Sequence, residues 1–406
     1  MTATAAQRIT SAGHARQVAR DLAAEFAVTA AERDRLRQLP YGEVERLAAS
    51  GLLAVTVPAA FGGADLLTSE LAEVVRTLAV ADPNIAQIPH SHFVYLNLLR
   101  LAGSPEQQQR YFAQVLDGAQ IANAQSERGG ATVAEVATTL RPDGPELRVD
   151  GTKYYCTGSP FAGILAVLAR LEDPGKRTGL GPGEYVAFLP ASSPGVEIVD
   201  DWNALGQRTT GSGTVRFDGV RVQADQLVAR DAAVRAPTGY GAFAQLLHVA
   251  IDTGIARGAL SAATEFVRTR SRPWFEAQVE RAIDDPLVIQ RVGELAVSVT
   301  AAEATLTAAG LAVDAATASP DPGQDVVARA SLAVAAAKIL ADRAATEVSA
   351  ALFDVSGTRS AASDLNLDHF WRNARTHTLH DPVRWKYQHL GRALLHDTPP
   401  PSHGVL

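Results

Sequence analysis

The sequence predicts an α+β protein in which two helical regions flank a central β region. Apolar residues recur at three- and four-residue spacing up to about Gly118 and again from Gly239, which is typical of amphipathic helices. Between about Ile121 and Ala229 the spacing changes to two, which is typical of strands. A chain of 406 residues is long enough for two or three domains. We therefore expect domains at residues 1–120, 121–229 and 230–398, followed by a loose tail at 399–406.

The N-terminal region contains five predicted helices. Their apolar spacing places them at residues 8–26, 31–50, 66–81, 91–101 and 107–116. Gly51 follows the second helix at a position typical of a helix stop. A short apolar connector, residues 52–58, leads to Phe61-Gly62-Gly63.

The central region predicts a small antiparallel β-barrel or sandwich. Residues 147–152 alternate and are expected to turn at Asp150-Gly151, and residues 214–222 are expected to turn at Asp218-Gly219. The apolar run 163–171 is typical of a strand buried on both faces. Two shorter strands are predicted at 185–189 and 196–199.

The C-terminal region predicts an antiparallel helical bundle. Three long Ala-rich runs, 240–269, 286–317 and 325–353, keep the helical spacing. The Pro- and Gly-containing segment 319–323 separates the last two.

Composition narrows the class of protein. A net charge of −7 without a basic run argues against a general nucleic-acid binder. The single cysteine, Cys156, excludes an intramolecular disulfide and a cysteine-based metal site, and is typical of a reducing cytoplasm. Residues 2–34 lack the apolar core of a signal peptide, and we find no uninterrupted apolar run of about 18 residues. We therefore expect a cytoplasmic protein without a membrane span.

Five short segments, spread over nearly the whole chain, resemble the acyl-CoA dehydrogenase superfamily in content and order. They are residues 51–63, the Ala-Gln-Ser-Glu run 124–127, the Gly-Thr-Lys strand 151–159, the Gly-Gln-Arg turn 206–212 and the segment 371–382. The resemblance implies that superfamily's fold, with an N-terminal helical domain, a central antiparallel β-barrel and a C-terminal four-helix bundle.

The segment 371–382 departs from the dehydrogenases where their chemistry is carried out. Many members have a Tyr-Glu-Gly-Thr-like run there, whose glutamate takes the α-proton of the thioester. This chain has His380 and Asp381 instead, and Pro382 replaces the glycine. With Asn123 and Trp202, this replacement resembles the flavin-dependent monooxygenases built on the same fold, the dibenzothiophene monooxygenase and sulfone-acquisition oxidoreductase group.

The resemblance implies a two-component reaction. Reduced flavin, FMNH2 or FADH2, would come from a separate NAD(P)H:flavin reductase and react with O2 to give a C4a-(hydro)peroxyflavin. The chain has no Gly-x-Gly-x-x-Gly strand-turn-helix of its own for NAD(P)H. The substrate would be an apolar or aromatic heterocycle or organosulfur compound, of the thiophene, sulfone or indole type. The resemblance also implies a homotetramer with flavin sites at subunit boundaries.

By the same resemblance, four residues are expected to be catalytic: His92, His380, Asp381 and Ser159. Imidazole suits proton transfer because its ordinary pKa lies near neutrality. Asp381 is expected to orient His380 or to hold its charge. A packing role is the alternative for each histidine, and His90 competes with His92 for the substrate-side position.

Six residues are expected to bind the flavin. Asn123, Ser126, Thr157 and Trp202 would surround the ring, whereas Arg270 and Arg359 would contact the phosphate, Arg270 in a neighbouring subunit. The alternatives are ordinary turn formers and solvated surface charges. A substrate pocket could draw on the aromatic residues Phe93, Tyr95, Phe161, Trp202 and Phe243, several of which could instead be core.

Three other functions compete with this hypothesis. His377, His380 and Asp381 could suggest a metal, but no other ligand pair has matching spacing and Pro382 interrupts the segment, so no metal is predicted. An acyl-CoA dehydrogenase could use Asp381 or Asp252 as its base. A non-catalytic flavin-fold binding protein would show no turnover with any reductase.

Overall fold

The N-terminal region is helical, as predicted. The computed structural model describes residues 6–130, 132, 135–319 and 322–402, so residues 403–406 of the predicted tail lie outside it. The helices are α1 Ala12–Ala27, α2 Ala30–Leu36, α3 Tyr41–Ala49, α4 Thr68–Ala81, α5 Pro83–Gln87, α6 His90–Ala102 and α7 Pro105–Leu116. The single helix expected over 31–50 is two, because Arg37 adopts φ 50° and Pro40 cannot continue a helical interior.

The short helix α5 was not predicted, and it positions part of the site. Asp82 caps it by accepting from the backbone N–H groups of Asn84 and Ile85, and Pro83 occupies its first turn. The other carboxylate oxygen of Asp82 accepts from buried Arg33 at 2.8 Å. This cap fixes the junction between α4 and α6, which carries Gln87 and His90.

The central region forms one mixed eight-stranded sheet. The strands are β1 Ile121–Ala124, β2 Thr139–Asp143, β3 Glu146–Lys153, β4 Ile164–Leu171, β5 Glu184–Pro190, β6 Val196–Val199, β7 Thr214–Val222 and β8 Leu227–Ala229. Their order is β6-β7-β3-β2-β4-β5-β8, and β1 pairs with β4. Both β1 and β2 run parallel to β4, so the predicted all-antiparallel, closed barrel is wrong. Turn signals report only local hairpins and cannot reveal these pairings between strands distant in sequence.

The two Asp-Gly pairs are not hairpin turns. Strand β3 continues through Asp150 and Gly151, and its pairing with β7 shifts register between Val149 and Gly151. On the facing strand Gly219 has φ 55°, and its N–H donates to the Asp150 carboxylate at 2.7 Å. The two glycines therefore belong to a β-bulge and not to a chain reversal, and glycine tolerates the positive φ that the bulge requires.

The C-terminal region is dominated by three long helices. Its helices are α8 Asp231–Val234, α9 Tyr240–Thr269, α10 Pro286–Thr317, α11 Gln324–Ser356, α12 His369–His377 and α13 Arg384–His396. Helix α9 packs on α10, α11 and α4. A Cβ built on Gly254 of α9 would lie 2.5 Å from the Ala79 Cβ, so glycine permits the close crossing of α9 and α4. The C-terminal four-helix bundle stays a prediction.

The hydrophobic core has two parts. One joins helices from both ends of the chain, including Leu71, Leu98, Ile251 and Val348, and the other lies within the sheet around Val149 and Val167. The domain boundaries at 120, 229 and 398 stay predictions.

Helix α10 is the one helix in the described ranges whose length and composition would suffice to cross a membrane. It packs against α9 and α11, and the core helix of a soluble protein meets the same criteria. The length and composition of α10 are therefore only weak evidence for a membrane span.

Candidate active site

Three histidine rings from three separate elements lie in contact, one pair stacked and the other tilted. His90 begins α6, His248 lies in the middle of α9 and His380 follows α12. The centroids of His90 and His248 are 3.9 Å apart with the rings stacked, and those of His248 and His380 are 4.0 Å apart. The His90 and His248 side chains are buried, whereas that of His380 is 46% exposed. The cluster therefore presents one accessible ring on a buried support.

A chain of buried polar contacts leads away from this cluster. His377 Nε2 lies 3.1 Å from His248 Nδ1, and His377 Nδ1 lies 2.6 Å from Asp252 Oδ1. The other Asp252 oxygen accepts from Lys338 Nζ at 2.7 Å, and Lys338 also donates to Asp342 at 2.7 Å. Asp252 and Lys338 are fully buried. Helices α9, α11 and α12 each contribute side chains to this series of buried polar contacts.

Burial and charge set the protonation states. Burial alone would raise the pKa of Asp252, but its contacts with His377 and Lys338 outweigh burial and hold that pKa below its ordinary range. Burial would lower the pKa of Lys338, but Asp252 and Asp342 raise it above its ordinary value. Burial, and then the other histidines, lower the pKa of His248 well below neutrality. Thus Asp252 and Lys338 are ionised and His248 is neutral at pH 7.

His380 is the accessible member of the cluster, and Asp381 lies near it without a hydrogen bond. Its Nδ1 lies 4.0 Å from the nearest Asp381 oxygen, too far for a hydrogen bond, and Asp381 pairs with Lys386 at 3.0 Å. Desolvation lowers the pKa of His380, and Asp381 partly opposes that shift. Because nearly half of the side chain is exposed, solvent screens part of this effect. Asp381 therefore acts on His380 as a nearby charge and does not orient its ring.

His92 stands apart from the cluster. The Ile121 N–H donates to its Nδ1 at 3.0 Å, and its Nε2–H donates to the Leu53 carbonyl at 2.8 Å. The side chain is fully buried, and burial lowers its pKa to about 4. Both ring nitrogens are used by the backbone, which favours a packing role, and the catalytic role of His92 stays a prediction. His90 takes the position next to His380.

The predicted flavin-ring residues lie on adjoining turns. The Ser126 carbonyl accepts from the Tyr154 N–H at 2.9 Å, which joins the turn after β1 to the end of β3. Thr157 Oγ1 shares a hydrogen bond with Ser212 Oγ at 2.8 Å, and Trp202 Nε1–H donates to the Gln207 carbonyl at 2.7 Å. Three segments, 123–126, 155–159 and 202–212, therefore form one rim, which we call the ring rim.

Two backbone approaches connect the ring rim to the histidines. A Cβ built on Gly158 would lie 3.2 Å from the Ile88 carbonyl, two residues before His90. On α12, the Asn373 side chain accepts from the Gln207 N–H at 2.7 Å, and Thr376 accepts from the Gly206 N–H at 2.8 Å. The ring rim thus rests on the elements that carry His90 and His377.

The ring rim fits an isoalloxazine group. Asn123 Oδ1 and Ser159 Oγ are buried and have no hydrogen-bond partner within the described part of the chain. Buried polar atoms are almost always paired, so they indicate a polar ligand at this rim. A cavity of about 400 Å³ opens beside Gln125 and Ser126, and its walls combine apolar Leu168 with charged side chains such as Glu184 and Arg230. A flavin ring requires polar groups at fixed positions as well as apolar surface.

The two predicted phosphate residues lie together but far from the histidines. Arg359 Nη1–H donates to the Arg270 carbonyl at 3.1 Å, beyond the end of α9. Along α9, Arg270 is about 33 Å from His248 at ~1.5 Å rise per residue. One flavin mononucleotide cannot span that distance within one subunit.

The aromatic residues predicted to line the substrate pocket lie in different parts of the structure. Phe93, Tyr95 and Phe243 are buried in the helical core, whereas Phe161 stacks edge-on against Tyr41 at 5.0 Å. Trp202 meets Tyr155 edge-on at 6.0 Å on the ring rim. Among the described residues, no group of three or more His, Cys, Asp and Glu side chains could hold a metal ion.

Sequence reasoning missed His248 and Lys338 and assigned His377 no role in the reaction. The sequence does contain a signal for Lys338 and for His248. Lys338 interrupts the Ala-rich run of α11, and His248 and Asp252 are one helical turn apart in apolar α9. Charged residues are rarely buried unless they are paired, so such positions predict a buried polar network.

The chain matches three family models along its length. They describe the acyl-CoA dehydrogenase N-terminal domain over residues 12–119, the middle domain over 122–220 and the C-terminal domain over 246–385.

Individual relatives are also similar to nearly the whole chain. Dibenzothiophene monooxygenase of Rhodococcus qingshengii is 34% identical over 93% of this chain and 92% of its own length. The probable FMNH2-dependent monooxygenase SfnC of Pseudomonas putida is 32% identical over 94% of this chain and 95% of its own. The crystal structure of TdsC from Paenibacillus sp. A11-2 with FMN and indole has a TM-score of 0.91 and 33% identity, covering 97% of this chain and 99% of that chain. The chain therefore belongs to the acyl-CoA dehydrogenase family, in the branch of flavin-dependent monooxygenases.

Proposed function

We propose that this protein is the oxygenase of a two-component system, which takes reduced FMN from a separate NAD(P)H:flavin reductase and oxygenates an apolar aromatic or organosulfur substrate. The accessible His380 ring, which lies tilted against buried His248 with centroids 4.0 Å apart, is the observation that carries the proposal. It occupies the segment where many dehydrogenases have their catalytic glutamate. FMN is preferred to FAD because similar proteins are described with FMN or FMNH2.

When bound, reduced flavin would supply the electrons that activate O2. In this proposal Ser126, Thr157 and Asn123 hold the ring by hydrogen bonds. His380 is neutral at pH 7, since its pKa is lowered, so it must accept a proton before it donates one to the reacting oxygen. Ser159 Oγ, which is buried and unpaired in the described residues, would contact the ring or the substrate.

The substrate proposed is a flat heterocycle such as indole or a thiophene. Trp202 and Tyr155 provide aromatic surface on the ring rim. Indole accompanies FMN in the TdsC structure, which supports this class of substrate.

The contacts of the two candidate carboxylates disfavour an acyl-CoA dehydrogenase. Asp252 has one oxygen on His377 and the other on Lys338, and it is fully buried. Asp381 is 9% exposed and pairs with Lys386. A base that removes a substrate proton must come within hydrogen-bond reach of the substrate.

We further propose a homotetramer located in the cytoplasm. Leu287 and Val297 of α10 and Leu394 and Leu395 of α13 are exposed apolar side chains. Such residues are typical of subunit contacts when they lie on one surface. The distance between Arg270 and His248 also favours a phosphate contact across a subunit boundary.

An oxygen-labelling experiment tests the function. The protein is mixed with a flavin reductase, NADH, FMN and indole or dibenzothiophene under 18O2, and the products are analysed by mass spectrometry. We expect one labelled oxygen in the product and no requirement for coenzyme A. Anaerobic bleaching of an acceptor dye by an acyl-CoA, without labelled product from any heterocycle, would establish the dehydrogenase instead.

A further inference from the structure

The Lys338–Asp252–His377 contacts fix the position of a proton. A carboxylate is only an acceptor, so the 2.6 Å contact between Asp252 Oδ1 and His377 Nδ1 requires the proton on Nδ1. The second Asp252 oxygen is committed to Lys338 Nζ at 2.7 Å. All three side chains are almost completely buried, so water cannot replace either contact.

The other His377 nitrogen carries the contact on to His248. His377 Nε2 lies 3.1 Å from His248 Nδ1 and 3.2 Å from the Gln87 side-chain oxygen on α5. The His248 ring in turn stacks on His90 and lies tilted against His380, with centroids 3.9 and 4.0 Å apart. The ring held by Asp252 is therefore in contact with the ring that supports His380.

We propose that Asp252, anchored by Lys338, is a positioning residue that fixes a proton on Nδ1 of His377, holds His377 against His248 and so positions the support of His380 for proton transfer. The effect on turnover rests on the oxygenase function proposed above, whereas the His377 proton does not. Asp252 touches neither the ring rim nor His380, and acts through the two intervening histidines.

The charged groups around His377 come from several elements. The Lys338 cation on α11 compensates the Asp252 carboxylate on α9. Burial, and then Asp252, raise the pKa of Asp342 on α11, which favours its neutral form. The remaining titratable groups nearby are His90 on α6, and Asp381 and Lys386, which pair with each other.

Asp252→Asn should reverse the proton positions. The Lys338 ammonium requires an acceptor, so the new amide oxygen turns toward it and the amide NH2 faces His377 Nδ1. His377 must then accept at Nδ1 and carry its proton on Nε2. Asp342→Asn is the matched control, because Asp342 contacts Lys338 but not His377, and a neutral Asp is closely mimicked by Asn.

Nitrogen-15 NMR of the histidine-labelled full-length protein without flavin measures the tautomers directly. The His377 signals are identified by their loss in His377→Gln. We expect a proton on Nδ1 of His377 in the wild type and in Asp342→Asn, and on Nε2 in Asp252→Asn. An unprotonated Nδ1 in the wild type would overturn the proposal, and that measurement stands even if Asp252→Asn does not fold.

Turnover is measured on the same variants with reductase, FMN and indole. We expect product per reduced flavin to fall at least tenfold in Asp252→Asn and to stay within about twofold in Asp342→Asn, with FMN and indole affinity unchanged in both. For scale, the wrong histidine tautomer costs about 10⁴-fold in serine proteases when the triad aspartate becomes asparagine. Reversed tautomers with undiminished turnover would remove Asp252 from the reaction. A wild type that oxygenates no heterocycle would refute the proposed function and leave the tautomer result intact.

Discussion

At the scale of single residues, the hydrogen bonds of the ring nitrogens separate the histidines by role. His92 has both nitrogens bonded to backbone atoms, so it joins α6 to Leu53 and to β1. His377 has both nitrogens facing side chains, one of which is a buried carboxylate. His380 is the accessible ring of the stacked cluster. Their environments therefore predict different consequences of the same substitution to alanine.

We predict that His380→Ala impairs the reaction without unfolding the protein. The side chain is 46% exposed, so its loss leaves little buried space. Product formed per reduced flavin should fall by about 10²–10⁴-fold, the usual contribution of a positioned acid or base. Oxygen uptake should continue and appear as hydrogen peroxide, while FMN affinity stays unchanged. His396→Ala, at the exposed end of α13, is the control, and an unaltered product yield in His380→Ala would refute the role of His380.

His92→Ala should lower stability. The substitution leaves the Ile121 N–H and the Leu53 carbonyl buried without a partner, at a cost of roughly 1–3 kcal/mol each. Chemical denaturation measures the loss of unfolding free energy. His92→Gln, whose amide can bond to one of the two groups, should lose less. A variant as stable as the wild type but defective in turnover would return His92 to the catalytic residues.

At the scale of elements, the turn after β1 is held to the end of β3 by a carboxylate. Glu127 accepts from the backbone N–H groups of Ala137 and Thr138 at 2.7 and 2.9 Å and pairs with Lys153. Burial would raise the pKa of Glu127, but Lys153 and the backbone donors lower it to about 2. Burial lowers the pKa of Lys153, and Glu127 partly offsets this. The same turn carries Ser126, so its stability bears on the ring rim.

Glu127→Gln should destabilise the protein in a pH-dependent way. The folded pKa lies below the ordinary value of 4.5, so the stabilisation is fully present above about pH 4.5 and is lost as the pH falls toward about 2. At pH 7 we expect a loss of roughly 1.5–3 kcal/mol, the scale of hydrogen bonds to a charged group. The difference in melting temperature between variant and wild type, measured from pH 7 to pH 3.5, should be constant above about pH 4.5 and should narrow below it. Exposed Glu197→Gln should show little difference, and a constant difference for Glu127→Gln across that range would exclude the ionised carboxylate as the cause.

At the scale of the whole molecule, the two ends of α9 lie in different environments. Its middle supplies His248 and Asp252 to the site, and its end supplies Arg270 beside Arg359. The separation of about 33 Å along the helix exceeds the reach of one FMN. The proposed homotetramer removes this difficulty with distance, because a neighbouring subunit can place its Arg270 and Arg359 at this subunit's flavin.

Arg270→Ala should therefore weaken flavin binding without changing the histidine cluster. We expect a loss of roughly 1–3 kcal/mol in FMN binding, measured by calorimetry, because a charge-assisted phosphate contact is removed. Arg221→Ala, at an exposed position of β7, should bind normally. Light scattering should give a tetramer for all three proteins. A monomer that binds FMN with full affinity would refute the shared site.

The sequence by itself determined the order of helical, β and helical regions, because the spacing of apolar residues depends only on which side of each element faces a core. Helices α9 and α10 begin and end where the periodicity predicted. The family was also readable, since its motifs are local runs of residues. Tertiary structure decided what depends on contacts between distant segments: the parallel pairing of β1 and β2 with β4, the bulge at Asp150, and the stacking of His90 on His248. It also brought Lys338 to Asp252, 86 residues apart, because burial forces an isolated charge to find a partner.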